Sequence, residues 1–329
     1  MADYTTADDL DLVTISAAYG VEDPAPLEPV PGGAANSSFR LRGTRDGAEV
    51  DYALTVLDNN PGSADRLTLL LEGLAGPVGQ PELFDTTRLV RARGGERVVT
   101  IAGRVMIVKQ WVRGRVHGVL PAEYLGRAGV ALARLHSLSV PAVVGDHRLP
   151  SDGRRLTAEQ RSHTTEFGDR SFAEWLDIRL ATLDGVGSGR PDVVIHGDLY
   201  SDNIIVSDQD DLVVIDWETA CLEDPLLDLG MAVLGLGVVD GCLVPSRMDA
   251  IVEGYSSVLP LTVAERTGVL LDMVELSALI IAFHRYYRHN VRFPGSPAAD
   301  RYREMVGVVE SLPGRAGGRT PAPDHALHP

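Results

Sequence analysis

The chain has 329 residues, 44% of them apolar, and its 30 basic against 46 acidic side chains give a net charge of −16. This length fits one large or two medium domains, and the negative field speaks against nucleic acid or anionic lipid as partners. No uncharged apolar run reaches 18 residues, only Cys221 and Cys242 are present, and the N-terminal segment is acidic, so neither a membrane span, a disulfide framework nor a secretory signal is expected, and the predicted location is cytoplasmic.

The first ~110 residues read mainly as β. Residues 37–43 and 49–58 alternate as strands and meet at Arg45-Asp46-Gly47, a turn signal. A helix is predicted over about 64–76, with Leu67, Leu70, Leu71 and Leu74 at helical spacing. Two further strands, 97–103 and 104–112, bend at Ala102-Gly103. Beyond them the chain is mostly helical. Pro121 opens one helix. Ser171 with Glu174, and Thr262 with Glu265, have capping-box spacing. A long helix, apolar on one face, covers about 263–289. The end, 313–329, is rich in Gly and Pro and reads as a disordered tail.

One β-rich stretch interrupts the helical half: VVIHGDLYSDNIIVSDQDDLVVIDWETA, residues 193–220. A short strand leads into His196-Gly197-Asp198, Asn203 follows, and an apparent hairpin with its loop at 207–211 ends at Asp216. The hairpin is expected to bring Asn203 near Asp216. Carboxylate and amide oxygens grouped this way suit Mg²⁺, a hard ion held beside substrate phosphates. Phosphoryl transfer needs charge neutralised and an acceptor hydroxyl aligned by a carboxylate, with little covalent help from the protein.

An Asp and an Asn five residues apart, followed by an Asp closing the next hairpin, is a spacing shared with the protein-kinase catalytic loop. In the form HGDLYSDNII with VIDWE, the chain resembles the aminoglycoside phosphotransferase / choline kinase family of small-molecule kinases over roughly residues 20–300. The resemblance implies an α+β, bilobal protein-kinase-like fold. A small antiparallel nucleotide-binding lobe with one main helix would cover 1–112, and a larger helical lobe with the catalytic hairpin and acceptor site 113–312. It implies an ATP- and Mg²⁺-dependent transfer to a small-molecule hydroxyl, by a monomer or homodimer, and leaves GTP open beside ATP. Asp198 resembles the catalytic base, and Asn203 and Asp216 the Mg²⁺ ligands. His196 and Gly197 read as organisers of the loop, Asp224 and Asp228 as its brace, and Asp202 as surface or pocket-lining.

By the same resemblance, Gly32, Gly33, Asn36 and Ser37 occupy the phosphate-clamping loop, and Gln110, Trp111 and Val112 the adenine-contacting hinge. The family's usual phosphate-holding lysine is replaced by Thr55 in YALTVLD. Homoserine kinases of this family are similar there, and the start ISAAYGV…LEPVPGGAANSSFRL resembles theirs too. Lys109, the only lysine in the chain, is a candidate replacement cation, with Glu72 as a candidate partner. Arg113, Arg115, Glu218, Arg285 and Arg288 are candidates for contact with the acceptor. The leading expectation for the acceptor is an antibiotic or other secondary metabolite; homoserine or a similar primary metabolite is the alternative. A nucleotide-binding pseudokinase, suggested only by Thr55, is the alternative of another class.

Overall fold

The computed structural model describes residues 5–31, 36–76, 84–140, 143, 149 and 153–314. Gly32, Gly33 and most of the Gly/Pro-rich end, from residue 315, lie outside them. The chain folds as two compact units. One comprises residues 1–116, 139–149 and 204–218, the other 117–138, 150–203 and 219–329. The hairpin read from sequence with the helical half thus clusters with the first unit, because β7 (Gly114–Val116) pairs with β9 (Ile204–Ser207), which pairs in turn with β10 (Leu212–Val214).

The main sheet of the first unit contains β1 (Glu28–Pro29), β2 (Ser37–Arg45), β3 (Ala48–Val56), β4 (Leu89–Val90), β5 (Val99–Ile101) and β6 (Arg104–Gln110). Its order is β1-β2-β3-β6-β4, with β5 paired to β6, and every pairing is antiparallel. Both expected turns form with their central residues at positive φ: Asp46 and Gly47 between β2 and β3, Ala102 and Gly103 between β5 and β6. Period-two alternation then sorts the side chains onto two faces. Phe39, Leu41, Tyr52, Leu54, Val56, Met106 and Val108 pack into the core with Ile15 and Tyr19 of α1 (Leu12–Tyr19). The opposite face carries Ser38, Arg40, Ala53, Thr55, Ile107 and Lys109, as the pairings Ser38↔Thr55, Arg40↔Ala53, Thr55↔Ile107 and Ala53↔Lys109 require. The expected helix is α2 (Ala64–Ala75), which packs against β6 and β4 and buries Leu67, Leu70, Leu71 and Leu74. Helix α1 is an addition to the sequence reading: Asp11 caps it and Gly20, in the left-handed conformation, ends it.

The second unit contains α3 (Ala122–His136), α4 (Ala158–Ser162), α5 (Arg170–Thr182), α6 (Pro225–Gly237), α7 (Pro245–Ser256), α8 (Leu270–Tyr286) and α9 (Tyr302–Ser311). A two-stranded ribbon pairs β8 (Val193–Ile195) with β11 (Cys221–Glu223); β12 (Val238–Val239) pairs with β13 (Cys242–Leu243). Helices α3 and α7 cross closely at glycine: a Cβ on Gly254 would stand 2.0 Å from the carbonyl oxygen of Gly126. Helix α6 packs against α8, and α8 against α9.

The Thr262–Glu265 capping box forms. Thr262 N–H donates to Glu265 Oε2 at 2.7 Å, and Glu265 N–H to Thr262 Oγ1 at 3.2 Å. The Ser171 box does not: Asp169, two residues earlier, caps α5 by accepting from Phe172 N–H at 2.9 Å, and Ser171 already lies inside the helix. The helical stretch Glu265–Arg292 is long and apolar enough to cross a membrane by composition. However, 67% of its most apolar part is buried within the protein, the condition of a core helix.

Candidate active site

The loop after β8 is held by partners for every backbone polar group from His196 to Asp198. The N–H groups of His196 and Gly197 donate to the two oxygens of Asp228, each at 2.8 Å. Asp198 N–H donates to His196 Nδ1 at 3.2 Å. The three carbonyls accept in turn from Thr219 Oγ1 at 2.8 Å, Arg154 Nε at 2.8 Å and Asn203 Nδ2 at 2.8 Å, and Asp198 O also accepts from Tyr200 N–H at 2.9 Å. Gly197 has φ +79, and a Cβ there would lie 3.0 Å from Thr219 O, so this position requires glycine. The resulting loop is rigid and presents the Asp198 carboxylate with its side chain one third exposed.

Asp228, the first-turn acid of α6, is completely buried. His136 Nε2 lies 3.1 Å from Asp228 Oδ2, and His136 Nδ1 2.9 Å from the Tyr255 hydroxyl. Burial alone would raise the Asp228 carboxyl. The hydrogen bond and charge of His136, the charge of His196 and the Gly197 N–H outweigh it, and the pKa falls below the ordinary value. Asp224 caps α6 by accepting from Leu226 N–H at 2.8 Å, and its carboxylate also takes the N–H and hydroxyl of Ser188. His196 is fully buried, which fits an organiser of the loop better than a proton carrier exposed to substrate.

A separate set of charges lies within the first unit. Asp216 follows β10 at φ +66, in the left-handed region that aspartate tolerates better than most side chains, and is exposed. Glu218 is half-buried. Asn36 Nδ2 donates to Glu218 Oε1, and Arg66 approaches the Glu218 carbonyl at 3.4 Å. Burial, then the charge of Asp216, pushes the Glu218 carboxyl up to about 7 against the opposing effects of Lys109 and the Asn36 hydrogen bond. Lys109 is pulled down by burial and pushed back up by Asp216 and Glu218, ending below the ordinary lysine value. Lys109 is thus an electrostatic neighbour of both acids and lies on the sheet face of Thr55.

Glu72 is not its partner. The Arg91 guanidinium, just past β4, forks onto both Glu72 oxygens at 2.7 and 2.9 Å, and Arg97 stands at 3.7 Å. Ser37 also departs from its expected role. Its hydroxyl donates to Asp58 Oδ2 at 2.7 Å, as its N–H does at 2.9 Å, so its donors brace the β2–β3 end. Of the four loop residues expected at the phosphates, Asn36 alone reaches this acidic cluster among the described residues.

In the hinge, Gln110 N–H donates to Arg88 O, Gln110 O accepts from Thr87 Oγ1, and Trp111 N–H donates to Asp51 O. None of these bonds uses the backbone of Val112. The Trp111 ring lies under the Arg40 guanidinium at 4.7 Å, and Arg40 forks onto Asp51. Arg113 and Arg115 are exposed. Arg113 lines an open groove of about 390 Å³ with Asp23, Arg40, Arg42, Glu49 and Asp51, which shares no lining residue with the Lys109–Asp216–Glu218 cluster. In the second unit, Arg285 is engaged by Glu304 at 2.8 Å and by the carbonyl of Arg301, yet its charge reaches Tyr200. Arg288 lies over the Phe293 ring.

Asp216 in the first unit and Asn203 in the second each carry a donor of the kind Mg²⁺ prefers. One is an exposed carboxylate. The other is an amide whose nitrogen is committed to Asp198 O, leaving Oδ1 as the atom able to take a cation. Among the described residues no three His, Cys, Asp or Glu side chains are grouped to hold a metal, so these residues offer an ion few protein carboxylates. Sequence reasoning missed Arg154, whose guanidinium stands beside Asp198.

The model of the phosphotransferase enzyme family matches residues 26–261. A homoserine kinase of Gluconacetobacter diazotrophicus is 29% identical over 275 residues, covering 82% of this chain and 83% of the relative. One from Sinorhizobium medicae is 28% identical over 302 residues, covering 90% and 89%. Among solved structures, an amicoumacin kinase in complex with AMP-PNP, Ca²⁺ and its antibiotic superposes with TM-score 0.62 at 14% identity, covering 90% of this chain and 93% of that one. A spectinomycin phosphotransferase in complex with ADP and spectinomycin gives 0.60 at 13%, covering 90% and 92%. The α+β, protein-kinase-like fold expected from the sequence is therefore present.

Proposed function

The chain belongs to the phosphotransferase enzyme family, and from that membership we propose that it transfers the γ-phosphoryl group of ATP, with Mg²⁺, to the hydroxyl of a small hydroxy amino acid of the homoserine type. The observation that carries the reading is the loop around Asp198, whose fully bonded backbone fixes one carboxylate for an acceptor hydroxyl. The curated relatives, aligned over most of both chains, favour homoserine as the acceptor. The antibiotic kinases share the fold at much lower identity.

Asp198 accepts the acceptor's hydroxyl proton as its oxygen bonds to the γ-phosphorus. The bond from that phosphorus to the β–γ bridging oxygen breaks, and ADP leaves with the electron pair. Asn203 and Asp216 would hold Mg²⁺, which would supply neutralisation of charge on the phosphates. Asn36 serves the phosphate side, and the Val112 backbone serves the adenine. The test is turnover of Mg²⁺-ATP with L-homoserine, with an aminoglycoside and a macrolide as comparison acceptors, read by mass spectrometry. A homoserine product heavier by one phosphoryl group is expected. A phosphorylated antibiotic without phosphohomoserine would replace this acceptor with the other.

Lys109 takes the part of the missing lysine at Thr55. The two positions are diagonal neighbours on one sheet face, and such neighbours lie roughly 7–8 Å apart, within the sweep of a lysine side chain. A charged hydrogen bond to phosphate is worth about 1.5–3 kcal/mol, so Lys109→Ala is expected to raise the KM for ATP about 10- to 100-fold. Adding Thr55→Lys to that variant is expected to restore most of the loss. Unchanged ATP kinetics in Lys109→Ala would remove Lys109 from the site.

A further inference from the structure

Beside the Asp198 carboxylate stands a cationic group that phosphoryl transfer to a neutral hydroxyl does not require. Arg154 is 16% exposed at its side chain. Its Nε is fixed on the Gly197 carbonyl at 2.8 Å, while Nη2 lies 3.9 Å from Asp198 Oδ1, beyond hydrogen-bond reach. The guanidinium is therefore positioned by the loop backbone rather than by the carboxylate, and its Nη edge is carried alongside the base. A planar fork in that position matches a carboxylate better than any other acceptor substituent.

A second observation comes from Tyr200, two residues beyond the base. Its ring packs over Gly235 of α6, where a Cβ would meet it at 2.8 Å. Its hydroxyl is buried and has no hydrogen-bond partner among the described residues. An unsatisfied buried hydroxyl typically costs about 1–3 kcal/mol, a cost removed when a ligand oxygen accepts from it. Burial, then the charge of Asp198, holds the phenol protonated and hence a donor. Its electrostatic neighbours also include Arg154 and Arg285. Arg154 faces one further group: burial, then the Arg154 charge, takes His284 down to about 3, so His284 stays neutral and adds no competing cation.

We propose that Arg154 and the Tyr200 hydroxyl form an anion subsite that holds the acceptor's carboxylate and so selects hydroxy acids over neutral or cationic alcohols. This inference rests on the acceptor class proposed above. Lys109 and the nucleotide side play no part in it.

The test compares wild type, Arg154→Gln, Arg154→Lys and Tyr200→Phe with L-homoserine and its neutral amide, at saturating Mg²⁺-ATP, after thermal melts show that each variant folds. With homoserine, Arg154→Gln is expected to raise KM about 10- to 100-fold, the loss of one charged hydrogen-bonded contact, with the KM for ATP unchanged. Arg154→Lys should recover part of the loss, and Tyr200→Phe should show a smaller rise. The amide should already bind weakly to wild type, and Arg154→Gln should raise its KM far less than that of homoserine. Equal wild-type kinetics for homoserine and its amide would overturn the subsite and leave the kinase reading standing. So would a fall in kcat with both acceptors at constant KM, which would make Arg154 a stabiliser of the transferring phosphate. Turnover of neutral or cationic acceptors alone would overturn both the subsite and the homoserine reading.

Discussion

Asp198→Asn is expected to lower kcat by about 10²- to 10⁴-fold, the contribution of a positioned general base, while nucleotide binding persists. Asparagine keeps the shape of the side chain but cannot take the proton. The loop should survive the change, because its bonds to Asp228, His196, Thr219, Arg154 and Asn203 all use backbone atoms of residues 196–198. Single-turnover transfer from ATP to homoserine, with nucleotide affinity measured separately, reads the two effects apart. A variant retaining more than about a tenth of wild-type turnover would show that another group accepts the proton. A wild-type chain that binds ATP but transfers nothing to any acceptor would revive the pseudokinase alternative.

Asp228→Ala is expected to cost about 3–5 kcal/mol of stability, the loss typical of removing one member of a buried charged network. Two consecutive amide N–H groups and the His136 ring lose their acceptor in a fully buried place. Activity should fall with stability, since the same two N–H groups aim the Asp198 loop. The sign of the pH dependence follows from the depressed carboxyl. A group ionising more easily when folded contributes stability above its ordinary value of 3.8, and that contribution is lost as pH falls through the folded value. The gap between wild type and Asp228→Ala in urea midpoint should therefore be widest near neutrality and narrow in acid. Equal midpoints at pH 7 would show that these bonds do not hold the fold.

The parts legible in the sequence were those written in local patterns. Alternation along 37–43, 49–58 and 104–112 placed β2, β3 and β6, and the spacing of Asp198, Asn203 and Asp216 marked the stretch proposed as catalytic. Helix α1 escaped because its eight residues include Val, Thr and Ile, which favour strands when read alone. The wrong cap at Ser171 came from spacing that ignored a stronger acceptor two residues upstream. The remaining errors involve partners distant in sequence. Nothing near Glu72 announces Arg91, 19 residues on, nor does Ser37 announce Asp58, 21 residues on. Arg154 meets its carbonyl 43 residues later, so no window around it could mark it as a neighbour of Asp198.

The parity of the β3–β6 pair also constrains how enzymes of this kind diverge. Positions 55 and 109 share a face, so a lineage can move the lysine from one strand to its neighbour. A shift of one residue back along β6, to position 108, would instead drive the ammonium into the core beside Met106 and Leu54. The permitted route passes through an intermediate with two mutually repelling lysines or with none. Each substitution therefore helps or harms according to the residue already present at the other position. If Lys109 takes the part of the missing lysine, positions 55 and 109 form a pair under sign epistasis, and chains that carry lysine at one should rarely carry it at both.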